Sequence, residues 1–192
     1  YGIYTLKINV SLNIPENATE EQMTALREQW KQHGHYNETD NIVTETNKAK
    51  TNVDGDVKDT NQVTTKIEGP EKTVSDSDET NVKKNTVRSL ADDWTYSITQ
   101  KIAKNADEKY ASFAFKDSIE QCMKINSVKV KADNGKDVTS WFDVSTVGNE
   151  VKATLKNPGS NDEFYKNNSY TMEINVKMDV PENATEEQLK SL

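Results

Sequence analysis

Three polar side chains stand where alternation reserves a place for apolar ones. In residues 46–74, TNKAKTNVDGDVKDTNQVTTKIEGPEKTV, Asn47 shares a parity with Ala49 and Val53, and Lys72 shares one with Val74. In SFAFKDSI (112–119), Asp117 shares a face with Phe113, Phe115 and Ile119. An amine, a carboxamide and a carboxyl on inward faces are a reactive set. Burial disfavours charge, so Lys72 is expected as a neutral amine and Asp117 as a neutral acid. A neutral amine is a nucleophile, and the Asn47 carboxamide carbon is an electrophile. Protonated Asp117 would hydrogen-bond the carboxamide oxygen and help carry protons to departing ammonia. The product is an amide between side chains, formed once and without turnover. The same residues also fit a buried Lys72–Asp117 ion pair with Asn47 as a hydrogen-bond partner.

Other reactive types are weaker candidates. His33 and His35 flank Gly34 in KQHGHY, with no cysteine or carboxylate at ligand spacing, so they read as groups at a helix end and not as a metal site. The acidic stretches SDSDE (75–79) and NVDGDVKD (52–59) lack the calcium-loop pattern and read as turns. Cys122, the one cysteine, lies among apolar neighbours in DSIEQCMKI and reads as an inert thiol. It also excludes a disulfide within the chain. Asn17-Ala18-Thr19 and Asn183-Ala184-Thr185 match a short glycosylation pattern, but each Thr has a structural reason to stand at a helix start. No cofactor and no metal is expected, and no enzyme site can be assembled.

The elements that must position these residues are mostly strands. Tyr4, Leu6, Ile8, Val10 and Leu12 alternate with polar residues, as do Tyr170, Met172, Ile174, Val176 and Met178. WTYSITQKI, SFAFKDSI, SVKVKA, WFDVS and EVKATL are further strands, with turns at Asp133-Asn134-Gly135 and Val147-Gly148-Asn149. Asp54-Gly55 predicts a hairpin between strands over 46–53 and 56–67. One helix is expected over about 17–33, capped by Thr19, striped by Met23, Leu26 and Trp30, and stopped by Gly34. The fold class is therefore mainly β, a sandwich with one short connecting helix. With a net charge of −8 the chain has no electrostatic reason to bind nucleic acid or an anionic membrane, and no apolar run reaches the length of a membrane span. No secretory signal pattern is visible, so a mature or excised segment is expected.

The two ends repeat each other. YTLKINVSLNIPENATEEQMTAL (4–26) and YTMEINVKMDVPENATEEQLKSL (170–192) agree at 14 of 23 positions, at an offset of 166. The period is that of a whole domain in a tandem array. Residues 1–67 are expected to be the C-terminal strands and helix of one repeat, and residues 70–192 the N-terminal portion of the next. Gly69-Pro70 marks the join.

With these residues in place, the chain resembles the isopeptide-forming immunoglobulin-like domains of Gram-positive surface adhesins. The nearest patterns are the type A domain of the staphylococcal collagen adhesin and the C-terminal domains of oral streptococcal fibrillar adhesins. PEKTV (70–74), FAFKD (113–117), the strand and TEEQ helix of residues 4–33, and TNKAKTNVDG (46–55) carry the resemblance. It implies Lys72 as amine, Asp117 as assisting acid and Asn47 as carboxamide donor. Asn61, on a face with Val63 and Ile67, is a rival donor, and Asn175, off the apolar face of its strand, a weaker one. In the family the Asn follows Lys and Asp, whereas Asn47 precedes Lys72, so the two are expected to belong to successive repeats. The implied role is a stalk repeat of an extracellular bacterial cell-surface adhesin or pilus-like fibre. Its partners would be neighbouring repeats or copies of itself, head to tail, with no nucleic acid and no membrane insertion. The alternative is an adhesin domain recognising a host protein or glycan.

Overall fold

A computed structural model describes residues 4–10, 14, 18–102, 109–180 and 184–185. Asn17 and Asn183 of the two glycosylation patterns lie outside them. The chain divides into two compact units, Tyr1–Ile67 and Glu68–Leu192.

In the first unit, α1 (Glu20–Gln32) starts at a capping box: the Thr19 hydroxyl accepts from the Gln22 N–H, and the Gln22 side chain accepts from the Thr19 N–H. Glu20 and Glu21 occupy the first turn, where the helix dipole favours anions. His33 closes the helix, and Gly34 at φ +74° turns the chain away in a conformation that glycine adopts without strain. Met23, Leu26 and Trp30 form the expected stripe, each half-buried. Strands β1 (Tyr36–Asn37), β2 (Ile42–Asn47) and β5 (Val63–Glu68) form a three-stranded sheet in the order β1-β2-β5. β3 (Lys50–Val53) and β4 (Asp56–Asp59) form a hairpin around Asp54 and Gly55, both at positive φ. The hairpin is shorter than the sequence predicts. Its strands are exposed along both faces, so no buried side anchors a longer ladder. Val43 is the one buried apolar residue among the described residues of this unit.

The second unit is a β-sandwich of two antiparallel sheets. Strands β6 (Glu71–Ser75), β7 (Asp93–Lys101), β9 (Met123–Ala132) and β12 (Ser169–Met178) make an antiparallel sheet in the order β6-β7-β12-β9. Strands β8 (Ala114–Ser118), β10 (Phe142–Val147) and β11 (Glu150–Leu155) make the other, in the order β10-β11-β8. The two sheets share one core, with Trp94, Ile98, Val130, Met172 and Ile174 from the first and Phe115, Phe142, Val151 and Leu155 from the second. The hairpin turns fall at Gly135 (φ +79°) and Gly148 (φ +58°), the positions read from sequence.

β12 is the central strand. Tyr170, Met172, Ile174 and Val176 have no exposed surface, and each stabilises the fold by about 1.5–3 kcal/mol through burial. Tyr170 stacks on Phe164 with ring centroids 4.3 Å apart, and its hydroxyl donates to the Phe164 carbonyl at 2.7 Å. Desolvation pushes the Tyr170 phenol up to about 12. β9 carries a bulge opposite Asn175 and Val176; the Asn126 side chain there donates to the Asn175 carboxamide oxygen at 2.9 Å.

The first copy of this strand behaves differently. Residues 4–10 were expected to form a strand like 170–176, yet they lie outside any strand, with Tyr4, Leu6, Ile8 and Val10 between 69 and 96% exposed. The alternation is intact, but among the described residues no strand pairs with them. Leu12 and Pro15 lie outside the described residues.

Candidate functional site

Lys72 and Asp117 reach each other across the sandwich. Lys72 sits on β6, with its side chain on the face of Val74 because the two are two residues apart, and it pairs in register with Ile98 of β7. Asp117 sits on β8 opposite Val151, on the face of Phe115. The Lys72 ammonium donates to Asp117 Oδ2 at 2.6 Å and lies 4.8 Å from the centre of the Tyr96 ring. The other carboxylate oxygen accepts from the Ser118 N–H at 3.0 Å.

The pair is not equally buried. Asp117 keeps 15% of its side-chain surface, whereas Lys72 keeps 47%, so the full burial expected from parity is approached by the acid alone. Topology gives the reason. β6 and β8 are each an end strand of their sheet, so the pair occupies a seam where, among the described strands, neither sheet continues. On β6, Val74 turns its N–H and C=O away from β7 to bridge Val82. By the two-residue alternation of the ladder, the backbone groups of Lys72 face the same side.

Each proposed carboxamide donor has its own surroundings. Asn47 ends β2 and is exposed; with Ala49 and Val53 also exposed, its parity marks no buried face in the unit that holds it. Asn61 lies exposed between β4 and β5, its carbonyl accepting from the Thr60 hydroxyl at 2.9 Å. Asn175 lies on the outer face of β12. Its amide donates to Asp93 at 2.8 Å, to the Trp94 carbonyl at 3.3 Å and to the Thr95 hydroxyl at 3.2 Å. Those bonds tie β12 to β7, a structural use of the side chain.

Tyr96 is the site residue that sequence reasoning missed. It shares a parity with Trp94 and Ile98 on β7, and that pattern, set beside Lys72, was the signal that could have found it. His35 faces the Glu45 carboxylate at 3.4 Å, Cys122 is half-buried, and no group among the described residues could hold a metal ion. No described helix is long and apolar enough to cross a membrane.

Comparison with known proteins adds the family. Among solved structures, the chain is similar to the major pilin subunit of Bacillus cereus at 18% identity, covering 72% of this chain and 39% of that one with a TM-score of 0.47. It is similar to the full-length major pilin of Corynebacterium diphtheriae at 26% identity, over 62% and 28% of the two chains, with a TM-score of 0.45. The pilus backbone of Streptococcus pneumoniae matches at 16% identity, over 57% and 27%, with a TM-score of 0.39. The chain thus spans less than two fifths of the length of these pilins. None of the curated proteins compared with it matches. The model of the cell surface antigen I/II C2 terminal domain matches residues 70–191, a span that holds the whole sandwich together with Lys72 and Asp117, and the chain belongs to that family.

Proposed function

We propose that the chain is a structural stalk repeat of a surface fibre, stabilised by an amide between Lys72 and an asparagine delivered by another repeat or another copy. Its family is one of cell-surface antigens, so the domain works outside the cell. The observation that carries the cross-link is the 2.6 Å contact between the Lys72 ammonium and Asp117 at the seam between two end strands.

A strand laid along β6 beside Lys72 would pair with the outward backbone groups of Lys72 and cover the exposed half of its side chain. Covering removes water, which favours the neutral amine and neutral acid. An asparagine on that strand would present its carboxamide carbon to Lys72 Nζ. The nitrogen forms a C–N bond, the carbon releases its amide nitrogen as ammonia, and the proton lost by the amine passes through Asp117 to the leaving group. Asn47 is the candidate donor because TNKAKTNVDG supplies it from the unit assigned to the preceding repeat. In that reading residues 1–67 complete the sandwich of a neighbour, head to tail.

The test is intact mass and a denaturing gel of the purified chain after concentration. A ladder that survives boiling and reductant, with one ammonia lost per link and no ladder in Lys72→Ala or Asn47→Ala, supports the reading. A single band at the full calculated mass overturns the cross-link between copies. A ladder persisting in Asn47→Ala but not in Asn61→Ala would transfer the donor role.

A further inference from the structure

Part of the outer edge of β6 is closed by the chain that follows it. After Ser75 the connection 76–92 doubles back before it reaches β7, and Val82 forms an antiparallel bridge to Val74. The Val74 N–H donates to the Val82 carbonyl at 2.8 Å, and the Val82 N–H donates to the Val74 carbonyl at 3.0 Å. The bridge is held from both sides. The Asn81 N–H donates to the Ser75 hydroxyl at 2.9 Å, and Asp76 accepts from the N–H groups of Asp78 and Glu79 and from the Asn85 amide. Val82 and Val87 pack against the sandwich core.

Backbone groups of β6 face outward at every second residue. Those of Val74 are taken by Val82, Pro70 has no N–H to give, and Lys72 lies between them. An incoming strand can therefore pair with β6 at Lys72, but at Val74 only by displacing Val82. Directly opposed residues of a ladder point to the same face, so the residue paired with Lys72 delivers its side chain beside Nζ.

We propose that the Val82 bridge is a register stop, which admits the incoming strand only as far as Lys72, so that the asparagine is the last residue to pair before the chain turns away. The proposal rests on the reading of Lys72 as the amine of the cross-link, and it holds whichever copy supplies the strand. Asn47 has this placement: it is the last residue of β2, and Lys48 and Ala49 belong to no strand before β3 begins at Lys50. Arriving by its C-terminal end, β2 runs parallel to β6 and towards Val82.

The test moves the asparagine two residues along the same face of its strand. In the full chain carrying Asn47→Ala and Glu45→Asn, pairing position 45 with Lys72 brings position 47 against Val74 and Val82. Ladder growth on a denaturing gel should be about tenfold slower than in the parent chain, because the two backbone hydrogen bonds of the bridge must first break. Adding Val82→Pro, which deletes the N–H that the bridge needs, should restore the ladder, with one ammonia lost per link and the link mapped to position 45 by peptide mass. Ser75→Ala with Asp76→Ala should restore it as well, by releasing the connection while leaving Val82 unchanged, so the result does not depend on the proline being tolerated. Links formed at position 45 at the parent rate with Val82 intact, or a ladder that neither change restores, would overturn the stop and leave the cross-link standing. So would a parent link mapped to Asn61, which belongs to no strand. No ladder in the parent chain would overturn both.

Discussion

Removing one partner of the Lys72–Asp117 pair should cost unequal amounts, depending on which is removed. In Lys72→Ala the carboxylate stays behind, with 15% of its side-chain surface exposed and Val151 and Phe115 as neighbours on its face. Among the described residues the Ser118 N–H remains as its donor. Leaving a mostly buried charge without its counterion costs about 2 kcal/mol here, below the 3–5 kcal/mol of a fully buried pair because some water still reaches it. In Asp117→Ala the ammonium, already 47% exposed, swings into solvent and is hydrated. That change should cost about 0.5–1 kcal/mol, the worth of a partly exposed ion pair. Urea unfolding of unlinked protein, monitored by tryptophan fluorescence, reads both. With a slope of about 2 kcal/mol per molar, the midpoint falls by about 1 M for Lys72→Ala and by less than about 0.5 M for Asp117→Ala. Equal shifts, or a larger one for Asp117→Ala, would refute the argument from unequal burial.

Tyr170→Phe leaves the Phe164 carbonyl and the Asn167 amide without their hydroxyl partner and should cost about 1–2 kcal/mol, read as a lower unfolding midpoint. The same phenol makes stability fall in alkali. Its folded value, about 12, lies above the ordinary 10.0, so its contribution is complete below pH 10 and is lost as pH rises through about 12; Tyr170→Phe should flatten that decline in pH-dependent unfolding. Thr19→Ala removes the capping-box acceptor of a helix with no buried residue, and should lower helical circular dichroism at a cost of about 1 kcal/mol, whereas Thr19→Ser should keep it.

Local patterns carried far in this chain because they rest on short-range physics. Thr19, Gln22 and Gly34 bound α1 through hydrogen bonds and backbone freedom a few residues apart. Asp54-Gly55 and Gly148 turn because their backbones can take positive φ. Alternation in 170–178 named every buried residue of β12, and parity alone put Lys72 and Asp117 on inward faces. Other outcomes depended on what lies across a sheet or beyond its end. The alternation of residues 4–10 and of 170–176 is the same, yet the second is a core strand and the first is exposed, since a strand is buried only where neighbouring strands flank it. Lys72 faces inward but stays half in water, because β6 ends its sheet and an inward direction is not burial without a cover. Asn47 shows the same limit more strongly: its parity is apolar, but the hairpin beside it is exposed on both faces. Side-chain direction is a property of the strand, set by the pleat and readable from sequence; burial is a property of the neighbours, and only the assembled sheets decide it.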